Sequence, residues 1–368
     1  MVPRPLEGVK IIEMAGKGAA PYAGVLLAEY GADVVRVVRR GAGAVDASRK
    51  KFATLERSRH SIEIDLKDPR DRDTFTALIA SADALFEGFR PGVMERLGFG
   101  PIDCQRINSR LVFGRITGWG QDGPLAQTAG HDLNFLAVSG ALAAIGSKEG
   151  GPVMPLNLLA DFAGGSLFLV IGILLALRVS EMTGCGQVVD ASMLDGVLSL
   201  TTALAGIRAR GDWVDRRSSN FLDGGAPFYR TYRCADGRYV ALGTVEPKFW
   251  SVFIEKLDIK ELQLVKQHDR ETWDAGGRIL ERVFLTKDRD EWIETFEGID
   301  CCISPVLELA EVTSAPHMVA RQSFVTSNDV VQPRSAPRLS QTPIRSSVNL
   351  AEACLASDVL SRWRVSSV

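Results

Sequence analysis

The chain has 368 residues, a formal net charge of -2, 46% hydrophobic residues and 24% charged ones. This is the composition of a globular protein with a core large enough to need no metal or disulfide staple, and the balanced charge excludes a global positive field for nucleic acid. Six cysteines with no CxxC pair and no zinc-like spacing to histidine point to free thiols in a reducing compartment, and no metal site is expected.

The N-terminus, MVPRPLEGVKII, lacks a signal-peptide layout. VKIIEMAG then reads as a strand, AAPYAGVLLAEYG as a helix ending at Gly31, and ADVVRVVRR as a second strand. HSIEIDLK, ADALFEGF and RLVFGRITGW continue the strands, with helical stretches such as RDRDTFTALIAS between them. The βαβ rhythm predicts an α/β fold with a parallel sheet covered by helices on both faces. In GHDLNFLAVSGAL, Phe135, Val138 and Leu142 recur at helical spacing, so His131 and Asp132 stand where a loop becomes a helix. The run SLFLVIGILLAL, 166–177, is too short to span a bilayer and ends at Arg178; a buried core helix over 162–178 and a soluble, cytoplasmic protein are expected. MLDGVLSLTTALAGIRA is a further helix. The pattern loosens at GDWVDRRSSNFLDGGAP, which predicts a linker over 211–225 after a large domain of residues 1–210. A smaller α/β domain, 226–315, opens with a hairpin turning at Asp236–Gly237. Helices FWSVFIEKL and RDEWIETFEGI follow, and Cys301–Cys302 reads as part of a buried strand. From about 315 regular pattern fades, and VVQPRSAPRLSQTP reads as an extended connection.

After the first strand, AGKGAAPYAG has Gly16 and Gly18 of a dinucleotide-binding turn but Pro21 at the third glycine position. The second strand carries Arg36, Arg39 and Arg40 where a dinucleotide fold wants an acidic residue for a ribose hydroxyl. Arginines suit a phosphorylated ribose, as in NADP or coenzyme A, or form a solvated edge. Three segments set an ionisable residue at the edge of an apolar element: GHDLNF with His131, NLLADFAGGS with Asp161, and GTVEPKFW with Glu246. Each has a plain alternative. Asp161 can be a helix cap, Glu246 before Pro247 a helix-start residue, and His131 a satisfied core histidine.

Eight segments taken in order resolve these alternatives. They are GVKIIEMAGKGAAPYAGVLLAEYGADVVRV, ADALFEGFRPGVMERLGFGP, ITGWGQDGP, AGHDLNFLAVSGAL, PLNLLADFAGGS, GQVVDASMLDG, LDGGAPFYRTY and VEPKFW. Together they resemble the racemase branch of the family III CoA-transferase (CaiB/BaiF) superfamily, from about Pro5 to about Leu339; the tail beyond Thr342 matches poorly. The resemblance implies interconversion of (2R)- and (2S)-2-methylacyl-CoA thioesters by 1,1-proton transfer. It makes His131 and Asp161 the two acid/base groups and Glu246 the partner of the histidine. It directs Arg39 and Arg96 to CoA phosphate, sets Asp65, Leu66, Lys67, Gly88, Phe89 and Arg90 along the adenosine and pantetheine, and adds Gly130 and Phe135 to the substrate wall. It favours CoA over NADP and needs no cofactor beyond the CoA of the substrate. The implied fold is a Rossmann-like large domain with a smaller α/β domain, and a return segment, 316–368, packing on the large one. The implied assembly is an interlocked homodimer in which Glu246 can act across the dimer. The expected partners are acyl-CoA and a second copy, without nucleic acid or membrane.

The chemistry wants this set. Removing an α proton from a thioester gives an enolate, and inversion requires reprotonation on the other face, hence two bases in opposite protonation states. A carboxylate beside the histidine orients it and stabilises its imidazolium form. The enolate oxygen needs preorganised donors, and the backbone N–H of Asp132 is the candidate. The alternative within the superfamily is a CoA-transferase with Asp161 as nucleophile; it does not need His131, and of the glycine run many transferases carry only Gly224–Gly225 is present. A non-catalytic acyl-CoA binder would not need three buried ionisable groups, and an NADP oxidoreductase has little support. Lys17, Val38, Gly114 and Cys185 depart from the usual residues of the family. The acyl group is left open among branched fatty acids, sterol side chains and aryl-propanoyl groups, with GAPFYRTY a candidate lining.

Overall fold

A computed structural model describes residues 2–41, 53–327, 329–344 and 352–365. The chain forms two compact units, one of Met1–Ser139, Pro155–Leu200 and Pro316–Val368, the other of Gly140–Met154 and Thr201–Ala315. Two stretches assigned above to the large domain, 140–154 and 201–210, therefore group with the second unit. Helical periodicity runs through Leu200 without a breaker residue, so the sequence does not mark this boundary, although the helix itself is interrupted at Thr201.

The first unit is built on a seven-stranded sheet. Its strands are β1 (Lys10–Met14), β2 (Asp33–Arg39), β3 (His60–Ile64), β4 (Ala84–Glu87), β5 (Val112–Thr117), β6 (Val188–Ser192) and β7 (Glu352–Ala353). The spatial order is β7-β3-β2-β1-β4-β5-β6, and every pairing is parallel. Successive side chains point to opposite faces of a strand. Ile12, Val35, Ile62 and Phe113 accordingly enter one core, and Ile11, Val34, Phe86 and Val112 the other. Both faces are buried, which is why these strands read as continuous apolar runs. Helices α1 (Ala19–Glu29) and α2 (Pro69–Ser81) are crossovers; Asp68 caps α2 by accepting from the N–H of Arg70, with Pro69 at the first helical position. The strand order reverses between β1 and β4, so a crevice opens outside their carboxyl ends.

Two expectations are corrected here. The apolar run forms a π-helical stretch, Leu158–Ser166, continuing into α4 (Leu167–Thr183). Only one stripe of α4, with Leu169, Ile173 and Ala176, is buried; Ile171, Leu175 and Met182 are 50%, 64% and 68% exposed. A single sheet can cover only one side of a helix, so an all-round apolar sequence leaves the other side bare. The region after 315 is also more regular than its composition suggests. It holds a hairpin, Phe324–Ser327 with Val330–Pro333, then β7 and a helix, Ala356–Val365. Trp363 of that helix is 1% exposed in the core, its indole N–H donates to Asp33, and Arg362 pairs with both oxygens of the same carboxylate. Residues 345–351 and 366–368 of the return segment lie outside the described residues.

The second unit has a three-stranded antiparallel sheet, Ile303–Pro305, Tyr239–Gly243 and Tyr229–Arg233, with the expected hairpin turn taken by Gly237 at φ 82°. Its core is aromatic, with Phe228, Tyr232, Trp250, Phe253, Phe284 and Trp292. Of the cysteine pair, Cys301 is buried, but Cys302 is exposed at φ 56°, ahead of the strand that begins at Ile303. The left-handed backbone at Cys302 ends the alternation a strand would need.

Beneath the β1–α1 turn, the fully buried carboxylate of Glu13 meets the guanidinium of Arg59 and, at 3.6 Å, that of Arg36. Arg59 also donates to the carbonyl of Pro21 in α1 at 2.9 Å. Removing one partner of a buried ion pair strands the other charge out of water. Replacing Glu13 with Ala is expected to destabilise the fold by about 3–5 kcal/mol, read as a fall in the urea midpoint at unchanged slope.

Candidate active site

Three turns at the carboxyl end of the sheet enclose a cavity of about 350 Å³ lined by Lys17, Arg90, Trp119, His131, Phe135 and Asp161 among others. The turn after β4 is fixed from below. One oxygen of the fully buried Glu87 accepts from the N–H of Phe89 at 2.6 Å, and the other from Arg115 Nε at 2.9 Å. Arg115 in turn holds Glu95 through Nη1 at 2.7 Å and Nη2 at 3.2 Å. Gly88, Phe89 and Arg90 thus stand on a charge-assisted scaffold. The loop after β5 is shaped by Trp119, whose indole N–H donates to Thr128 O at 3.1 Å and whose ring meets Phe135 edge-on with centroids 4.8 Å apart. Gly130 is required there, since a Cβ would lie 2.7 Å from the Phe135 ring.

His131 directly precedes α3 (Asp132–Ser139). Its carbonyl accepts from Asn134 and Phe135, and its N–H donates to Asn134 Oδ1 at 3.0 Å. The backbone is therefore fixed, while the imidazole is exposed in the cavity wall and has no hydrogen-bond partner among the described residues.

Asp161 is not a helix cap, the plain alternative weighed for it above. It lies in the first turn of the π-helical stretch, half-buried, with Asn157 Nδ2 at 3.2 Å from its Oδ2. That stretch is held on two sides. The Ser166 hydroxyl lies 2.7 Å from the Ala19 carbonyl, tying it to α1. On the other side α5 (Met193–Leu200) packs so closely that a Cβ on Gly196 would sit 1.8 Å from the Gly164 carbonyl oxygen. The backbone N–H groups of Ala160 and Asp161 both donate to Asp132 Oδ2 at 2.8 Å. Burial raises the Asp161 carboxyl above the ordinary aspartate range; the Asn157 hydrogen bond opposes this, the Asp132 charge adds to it, and His131 opposes it.

The cavity therefore brings together His131, Asp161, Gly88, Phe89, Arg90, Gly130 and Phe135. Arg39, Asp65, Leu66, Lys67 and Arg96 are not among its lining residues. Arg39 and Arg96 are exposed, with no ion pair among the described residues. The Asp65 carboxylate accepts from the N–H of Lys67 at 3.0 Å, a turn that leaves the Lys67 side chain exposed. The Leu66 side chain is buried in the sheet core and its carbonyl accepts from Arg72, so it presents neither group to a ligand. Glu246 belongs to the second unit, where it is the exposed residue before Pro247 and α6 (Pro247–Leu257) and makes no side-chain capping bond. The expected three buried ionisable groups are thus two exposed and one half-buried. Among the buried charges, Glu13, Glu87, Arg115 and Asp132 support the turns around the cavity. Glu87, Asn157, Trp119 and the Asp132 carboxylate escaped sequence reasoning. Only the Asn157–Asp161 spacing of four carried a helical signal.

A doubly wound parallel sheet with a histidine and a half-buried aspartate lining one cavity at its switch point places this chain among α/β proteins with a site at the strand ends. The chain belongs to CoA-transferase family III, whose model matches residues 6–349. It is similar to alpha-methylacyl-CoA racemase from Homo sapiens, 42% identical over 92% of this chain and 87% of the relative, and to that from Mus musculus at 40% over the same shares. The structure of a CAIB/BAIF family protein from Brucella suis superposes with a TM-score of 0.81 at 24% identity, covering 98% of this chain and all of that one, which shows the fold.

Asn157 stabilises the ionised form of Asp161, so its loss favours the protonated form. Asn157→Ala is expected to move the Asp161 titration to higher pH, followed by carbon NMR of aspartate-labelled protein with Asp161→Asn for assignment.

Proposed function

We propose that this chain interconverts (2R)- and (2S)-2-methylacyl-CoA thioesters by 1,1-proton transfer. The observation that carries the reading is that His131 and Asp161 line one cavity, in a chain 42% identical to a racemase of such thioesters. One of the pair takes the α proton from one face and the other returns a proton to the opposite face; in the reverse direction they exchange roles. The raised carboxyl of Asp161 suits this, because an acid/base works best when its pKa approaches the working pH. The N–H of Asp132, first in its helix, has no intrahelical acceptor and serves the enolate oxygen. Arg39 and Arg96 supply cations for the CoA phosphates, and Arg90 lies along the adenosine and pantetheine. The CoA-transferase alternative would use Asp161 as nucleophile and leave His131 without a task.

The working enzyme is a homodimer in which Glu246 partners His131 of the other copy. Two observations support this: neither the imidazole nor the Glu246 carboxylate has a hydrogen-bond partner among the described residues, and the apolar face of α4 is bare. A contiguous exposed apolar stripe of this kind marks an interaction surface. Free cysteines fit a reducing compartment such as the cytoplasm.

Incubation with (2R)-2-methylacyl-CoA in D₂O is expected to give the 2S epimer with deuterium at the α carbon. His131→Ala should lower the rate by roughly 10²–10⁴-fold. Absence of both exchange and epimer from the wild-type chain sinks the reading, and transfer of CoA to an added acid would replace it. Sedimentation should give a dimer for the wild-type chain and a monomer for Leu175→Glu, with an unchanged dimer overturning the role of α4.

A further inference from the structure

Asp132 is 6% exposed, and a single oxygen of its carboxylate accepts from two consecutive N–H groups, Ala160 and Asp161, both at 2.8 Å. The bonds span 28 and 29 residues of sequence. They join the residue next to one acid/base group to the backbone of the other. We propose that the Asp132 carboxylate is a positioning residue that sets where Asp161 stands relative to His131. This role rests on the racemase reading and is distinct from that of the Asp132 N–H.

Inversion demands more of geometry than proton exchange does. Exchange on one face needs one base near the α carbon, whereas inversion needs two, on opposite faces of the same atom. A misplacement of about 1 Å can cost about 10²-fold in rate. The two groups are also anchored differently. The backbone of His131 is fixed by Asn134 and by the carbonyl bonds at the helix start, none of which involves the Asp132 carboxylate. The Asp161 backbone depends on it directly. Charge-assisted bonds to backbone N–H groups are among the stronger ones, and a buried donor left unpaired is costly. Removing the carboxylate thus releases Asp161 while His131 stays in place. Asn157 and the Ser166 bond keep the π-helical stretch folded, so the effect is displacement.

The consequence is a change of outcome as well as of rate. With Asp161 displaced, His131 still removes the α proton of one epimer, and the C–H electron pair passes into the enolate. The imidazolium exchanges its proton with solvent and returns a deuteron to the same carbon on the same face. Exchange then proceeds with retention.

The test follows both epimers in D₂O, with chiral analysis and α-deuterium content measured on the same samples. Asp132→Ala should lower inversion by about 10²-fold with KM changed little, while exchange with retention, seen for one epimer only, falls far less. Asp132→Asn keeps an acceptor for both N–H groups and should recover most of the inversion. Amide hydrogen exchange should show protection at Ala160 and Asp161 lost in Asp132→Ala and kept in Asp132→Asn. A parallel loss of inversion and exchange in both variants, or full inversion in Asp132→Ala, overturns the positioning role alone. A wild-type chain that neither exchanges nor inverts overturns the racemase reading and this role with it.

Discussion

A parallel sheet covered on both faces leaves only the ends of its strands for chemistry. In this chain that constraint decides nearly everything else. Ile11 and Ile12, adjacent in sequence, enter opposite cores, so neither face of the sheet is available to a ligand. The crossover helices return each strand in the same direction, and the turns after β1, β4 and β5 gather at one end. Where the strand order reverses, adjacent crossovers leave in opposite directions and the turns part. The cavity with His131 and Asp161 is the space left there.

The supports around that space are held by charge taken out of water. Glu13 lies under the turn after β1, Glu87 under the turn after β4, and the Asp132 carboxylate supports the stretch carrying Asp161. Each is buried, and each meets a guanidinium or backbone N–H groups. Buried carboxylates are costly unless so satisfied, and once satisfied they fix a backbone more narrowly than apolar packing can. The two groups proposed to react are the opposite case. His131 is exposed and Asp161 only half-buried, with support from groups on their own or neighbouring turns.

The bare face of α4 has the same origin. A helix packed on one sheet buries one stripe, here Leu169, Ile173 and Ala176. The apolar residues on the other side, Ile171, Leu175 and Met182 among them, are left exposed. A long apolar run gives the same signal whether its second face is covered by the same chain or by another. This is why the run read as a core helix.

Local patterns determined much of this protein by sequence alone. Apolar runs and turn residues marked the first five strands of the large sheet, the helices α1, α2 and α6, and the hairpin at Gly237. The residue types at positions 131, 161 and 246, with their flanking motifs, pointed to the family and to acid–base chemistry. The tertiary structure decided what depends on distant residues meeting. It placed the 140–154 and 201–210 stretches with the second unit, and brought Trp363 of the poorly matching tail into the core. It turned Leu66 inward and made Asp161 part of a π-helical turn rather than a cap. It also joined Asp132 to the backbone of Asp161 across 29 residues. Periodicity and capping act within a few residues and are legible in order along the chain. Burial of a carboxylate against a remote N–H is a property of the folded whole, and no local pattern carries it.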